Sequence, residues 1–124
     1  MPCIARATAT RPARGIVDSD VLRVFNDRGA CLAGVRVTDR IRPGVLKLWT
    51  GASWDPVVPG QSGALDAHGN PNVLTRDVGT SRLARGCSAR SCLVQVERFE
   101  GALPPVRAFE PPDCCFSDVP PRSP

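Results

Sequence analysis

A chain of 124 residues, 42% hydrophobic and 23% charged, has room for one domain with a core of ordinary size. Its net charge of +4 comes from fifteen arginines and the single Lys47, spread along the sequence, and only 5% of residues are aromatic. That distribution weakens a reading as a duplex-binding protein, which would prefer a clustered basic face, and leaves a single-strand stacking surface poorly supplied. No apolar run approaches the ~18 residues of a membrane span.

The N-terminus, Met1–Arg14, scatters arginines without an apolar stretch, so no secretory signal is expected there. The first strand is predicted at Val21–Asn26, rich in β-branched and aromatic residues. It runs into Asn26-Asp27-Arg28-Gly29, residue types that supply the positive-φ positions of a tight turn. Ala30–Thr38 follows, with Val35 and Val37 alternating against Arg36, and the Arg42-Pro43-Gly44 turn leads into a third strand at Val45–Trp49. These read as a β-meander. From Thr50 to Pro71 the periodicity stops, and a connection of that length is usually functional or disordered. Beyond Asn72-Val73-Leu74, Thr80 or Ser81 can cap a short helix that Gly86 would end. Cys92–Phe99 is the last predicted strand, and the proline-rich terminus is expected to be disordered.

Six cysteines (Cys3, Cys31, Cys87, Cys92, Cys114 and Cys115) contain no C-x-x-C, and His68 is the only histidine. A zinc site would need four convergent ligands. Free thiols in a reducing, cytoplasmic setting are the expectation.

Four segments in one order carry a resemblance: Asp18–Gly29 (DSDVLRVFNDRG), Asp39–Val45 (DRIRPGV), Gly51–Pro56 (GASWDP) and His68–Gly86 (HGNPNVLTRDVGTSRLARG). Together they resemble the C-terminal domain of the dimethyl sulfoxide, trimethylamine N-oxide and biotin sulfoxide reductases, biotin sulfoxide reductase looking most similar. The resemblance covers residues 13–111, leaving 1–12 as an atypical lead-in and 112–124 as a tail. It implies a mainly β fold, a double-psi β-barrel with one or two short helices. It also implies a cofactor, molybdenum held by two molybdopterin guanine dinucleotides. Pterin and guanine edges call for side chains that both donate and accept hydrogen bonds, and a pyrophosphate calls for backbone N–H groups.

Asn72, in the NVL motif, is the residue the resemblance assigns to the pterin; its alternative role is an Asx-turn residue. The turn Ser88-Ala89-Arg90 falls where family members carry a glutamine beside the cofactor, here replaced by Arg90. Trp54 could flank the cofactor mouth or serve as a core or lid residue, and His68 reads as a loop histidine without an acid–base partner. The family's other domains, with the molybdenum-ligating side chain, have no counterpart here. The chain is therefore expected to be non-catalytic alone and to work with upstream catalytic domains or a separate catalytic chain. It would do so as a truncated reading frame or a true small subunit, without nucleic acid or membrane. The alternative is a stand-alone β-barrel binding module, nucleic-acid-binding or regulatory, with no redox role.

Overall fold

The structure, a computed structural model, describes residues 6–9, 15–83, 86 and 91–111. Among the described residues five strands form one sheet: β1 (Arg6–Ala9), β2 (Val21–Phe25), β3 (Ala30–Val37), β4 (Leu46–Leu48) and β5 (Gln95–Arg98). A single 3₁₀ turn, Pro71–Val73, is the helical element among the described residues. The fold is mainly β, as the sequence implies. The sheet order is β4-β1-β3-β2-β5, and β4 and β5 stand at its two ends, so the ladder does not close into a barrel among the described residues.

The meander holds only for its first hairpin, in which β2 and β3 pair antiparallel with Leu22 opposite Ala33 and Val24 opposite Cys31. β4 does not continue beside β3. It pairs antiparallel with β1, and β1 pairs parallel with the distal half of β3, Gly34–Val37. β5 returns to the free side of β2, with Val24 opposite Val96. β3 is thereby the central strand, and Ala30–Ala33 are all buried. Along β2 the buried Leu22 and Val24 alternate with Arg23 and Phe25, the period-2 pattern of a strand with one face on the core. Ile16, Leu22, Val24, Cys31, Val35 and Leu74 make the core cluster.

Two turn expectations separate here. In Arg42-Pro43-Gly44, Gly44 takes φ +80° and the Val45 N–H donates to the Arg42 carbonyl at 3.1 Å, as a Pro-Gly turn should. In Asn26–Gly29 the expected positive φ is absent: Gly29 is not among the left-handed residues. Its small size is needed instead for close approach, because a Cβ there would stand 2.8 Å from the Val73 carbonyl oxygen.

The helix expected from Thr80 to Gly86 does not form over the described part, where Thr80–Leu83 runs as bends and the Thr80 N–H donates to the Gly86 carbonyl at 2.9 Å. The Leu83 N–H donates to Ser81 Oγ at 3.3 Å, a side-chain acceptor that competes with the helical ladder. Leu83 is fully exposed, so no apolar face is buried to offset the cost of helix nucleation. The C-terminal tail from residue 112, expected to be disordered, lies outside the described residues.

Candidate functional site

The stretch from Thr50 to Pro71 carries no strand pattern, yet it is organised around one buried carboxylate. Asp66 is fully buried. Its Oδ1 accepts the Asp55 N–H at 2.7 Å, and its Oδ2 accepts the N–H groups of Gly69 and Asn70, each at 2.6 Å. Its backbone joins β3, with the Asp66 N–H donating to Ala30 O at 3.0 Å and Asp66 O accepting from Leu32 at 2.9 Å. The edge of β3 that β1 leaves open is thus taken by this residue. Asp55, also buried, accepts the backbone N–H groups of Arg107 and Ala108 through Oδ2 and so ties the C-terminal stretch to the same knot. Both carboxylates spend their lone pairs on backbone donors, which is structural work.

From this knot the chain enters the 3₁₀ turn. Asn70 is its N-cap, with Oδ1 accepting the Asn72 N–H at 3.0 Å, and Pro71 supplies the fixed φ of the first position. Asn72 itself is exposed, and among the described residues its side-chain amide has no hydrogen-bond partner. The Asx function that could have explained Asn72 belongs to Asn70 instead. The hairpin turn packs against this element: Asn26 Nδ2 donates to Leu74 O at 2.9 Å and Arg28 Nε donates to Thr75 O at 3.1 Å.

Downstream, Arg76 and Arg82, together with Asp77, Gly79, Ser81 and Gly86, line an open cleft of about 850 Å³. Two guanidinium groups beside glycine backbone suit an anionic ligand. Ser88, Ala89 and Arg90, the second group of expected site residues, lie outside the described residues, so only Asn72 of the expected set has a place in the structure. Trp54 is 58% exposed, which removes the core role considered for it. His68 is buried, with Nδ1 3.1 Å from Ser53 O and its ring edge-on to Phe109 at 5.0 Å. Its partners are a backbone carbonyl and a phenyl ring, so it is anchored rather than poised for proton transfer.

Among the described residues Cys31 and Cys92 are free thiols, and no group of side chains is arranged to hold a metal ion. Burial first, then the negative charge of Asp66 and the nearby Cys92, pushes the Cys31 thiol up from 9.0 to about 12. The folded state therefore holds this proton more tightly than the unfolded chain does. The associated stability is complete below pH 9 and declines as pH rises from 9 towards 12. At pH 8 a thiol reagent should modify exposed Cys92 and leave Cys31 untouched until denaturant is added. Titration under denaturing, non-reducing conditions should approach the six cysteines of the sequence; two or fewer would revive a disulfide-bonded, secreted protein.

An exposed carboxamide, an arginine-lined cleft and loops braced by buried carboxylates suit a ligand-holding β domain. Comparison with known proteins identifies the ligand class. Residues 4–93 match the molydopterin dinucleotide binding domain, and the chain belongs to that molybdopterin-dinucleotide-binding family. Over 111 residues it is 46% identical to the dimethyl sulfoxide/trimethylamine N-oxide reductase of Cereibacter sphaeroides, covering 90% of this chain and 13% of that protein. It is 52% identical over 100 residues to trimethylamine-N-oxide reductase 1 of Escherichia coli O157:H7, covering 81% of this chain and 12% of the relative. With the trimethylamine-N-oxide reductase of Vibrio cholerae serotype O1 it shares 46% identity over 100 residues, at the same coverage of 81% and 12%. The chain thus spans about an eighth of the length of the curated relatives it matches. A stand-alone nucleic-acid or regulatory module gains no support from these matches. No helix among the described residues is long and apolar enough to cross a membrane.

Proposed function

We propose that this chain holds the dinucleotide portion of a molybdenum cofactor as one part of a sulfoxide- or N-oxide-reducing enzyme. The carrying observation is identity of 46–52% to reductases named for these substrates, over most of this chain and a small fraction of theirs. The dinucleotide is proposed to be the guanine form, with two such molecules sharing one molybdenum. The polar edges of guanine and pterin suit the unpartnered Asn72 amide, and the diphosphate suits the Arg76–Arg82 cleft. Ser88, Ala89 and Arg90 are proposed as the second contact segment. When bound, the cofactor supplies redox chemistry at molybdenum; the residues of this chain bind and orient it. The reducible substrate and the molybdenum-ligating side chain are assigned to catalytic domains upstream or on a separate chain. The unpaired thiols Cys31 and Cys92 favour a reducing compartment, the cytoplasm.

The test is direct. The purified chain, supplied with molybdenum cofactor and a reductant, should take up the dinucleotide and reduce neither dimethyl sulfoxide nor trimethylamine N-oxide. Turnover by this chain alone would contradict the division of labour proposed here.

A further inference from the structure

Asn26 sits at the tip of the β2–β3 hairpin and makes bonds that reach well beyond its own turn. Its backbone N–H donates to Gly29 O at 3.0 Å, and its Oδ1 accepts from Arg28 N at 2.9 Å and Gly29 N at 3.3 Å. Those contacts close the turn. The other end of the same amide leaves the hairpin: Nδ2 donates to Leu74 O at 2.9 Å and, at a longer 3.4 Å, to Leu93 O. Leu74 ends the 3₁₀ turn that carries Asn72. Leu93 lies three residues after Arg90, on the stretch that leads into β5. One carboxamide therefore fastens together the two chain segments that flank the proposed dinucleotide contacts. Gly29 lets the hairpin seat against Val73, and Arg28 Nε adds its bond to Thr75 O at 3.1 Å.

We infer that Asn26 is a positioning residue for dinucleotide binding, fixing the Asn72 turn against the segment that enters β5; this rests on the function proposed above. Carbonyl oxygens at Leu74 and Leu93 can be joined only by a donor, and a carboxamide is a side chain that donates from one end while accepting from the other. Aspartate at this position would keep the turn acceptor but face two carbonyls with an oxygen. Serine would keep a turn acceptor and be too short to reach either carbonyl.

The experiment uses the full chain and the extracted molybdopterin dinucleotide cofactor as probe, with binding followed by pterin fluorescence at a temperature where every variant is folded. Asn26→Ser is expected to bind about tenfold more weakly than wild type, and Asn26→Asp at least as weakly. Val37→Ala, which trims a half-buried residue packed against the core, should lower the melting temperature yet bind within about twofold of wild type. Amide exchange at Leu74, read on the same variants, should quicken in Asn26→Ser relative to β2 and β3 and stay unchanged in Val37→Ala. If Asn26→Ser is less stable but binds like wild type, Asn26 merely holds its hairpin and the inference is overturned. If the wild-type chain takes up no dinucleotide, the underlying function fails and the inference falls with it.

Discussion

Asp66→Ala is expected to remove about 3–5 kcal/mol of folding stability, a large share of the roughly 5–15 kcal/mol that holds a domain folded. Three backbone N–H groups, from Asp55, Gly69 and Asn70, converge on this fully buried carboxylate at 2.6–2.7 Å, two of them in buried hydrogen bonds and that of Asn70 in a part-buried one. Alanine would leave all three without a partner, and each orphaned buried donor costs about 1–3 kcal/mol, softened by whatever water can enter. Asp66→Asn should cost less, because one oxygen survives, but its NH₂ must then face donors. The loss should be visible as a lower urea midpoint with little change in the slope of the transition. A loss below about 1 kcal/mol for alanine would mean that the loop finds other acceptors and that Asp66 is not its organising centre.

The hairpin was legible because β2 alternates buried and polar positions and the Val35-Arg36-Val37 end of β3 alternates in kind, on either side of a turn, and β5 was legible through Val96 between the polar Gln95 and Glu97. β1 was not. Arg6–Ala9 reads RATA, four residues with one β-branched side chain, and its place is set by a parallel pairing to β3 across more than twenty residues of chain. Local pattern holds no record of such a partner. β4 was found, but its neighbour was mistaken, since a strand pattern says nothing about which edge the chain will take. The Thr50–Pro71 loop was illegible for a different reason. Asp55 and Asp66 look like solvated loop carboxylates in sequence, and only the tertiary fold reveals them as acceptors for backbone donors. The one local hint was Asp66 followed by Gly69 and Asn70, the spacing at which a carboxylate can collect consecutive N–H groups. Asn72 is proposed as a contact through its motif, not through any physical pattern in the residues around it.

Asn72→Ala is the substitution that bears most on the proposed function. Its expected cost is about 1–3 kcal/mol in cofactor binding, or about one to two orders of magnitude in retention. The geometry makes the experiment clean. The Asn72 contribution to the 3₁₀ turn is its backbone N–H, which donates to Asn70 Oδ1 and persists in alanine. The side-chain amide, exposed and without a partner among the described residues, supports nothing in the fold, so its removal should leave the melting temperature nearly unchanged. The variant should be joined with the catalytic domains or chain, isolated, and its bound pterin and molybdenum quantified against protein. Arg107→Ala serves as control, because the link from Arg107 to Asp55 is again a backbone N–H that alanine retains. Reduced cofactor content in Asn72→Ala, at wild-type stability, assigns the amide to the ligand. Cofactor content equal to that of the Arg107→Ala control would mean that Asn72 is only a position in a turn capped by Asn70. The dinucleotide contacts would then have to be sought in the arginine-lined cleft.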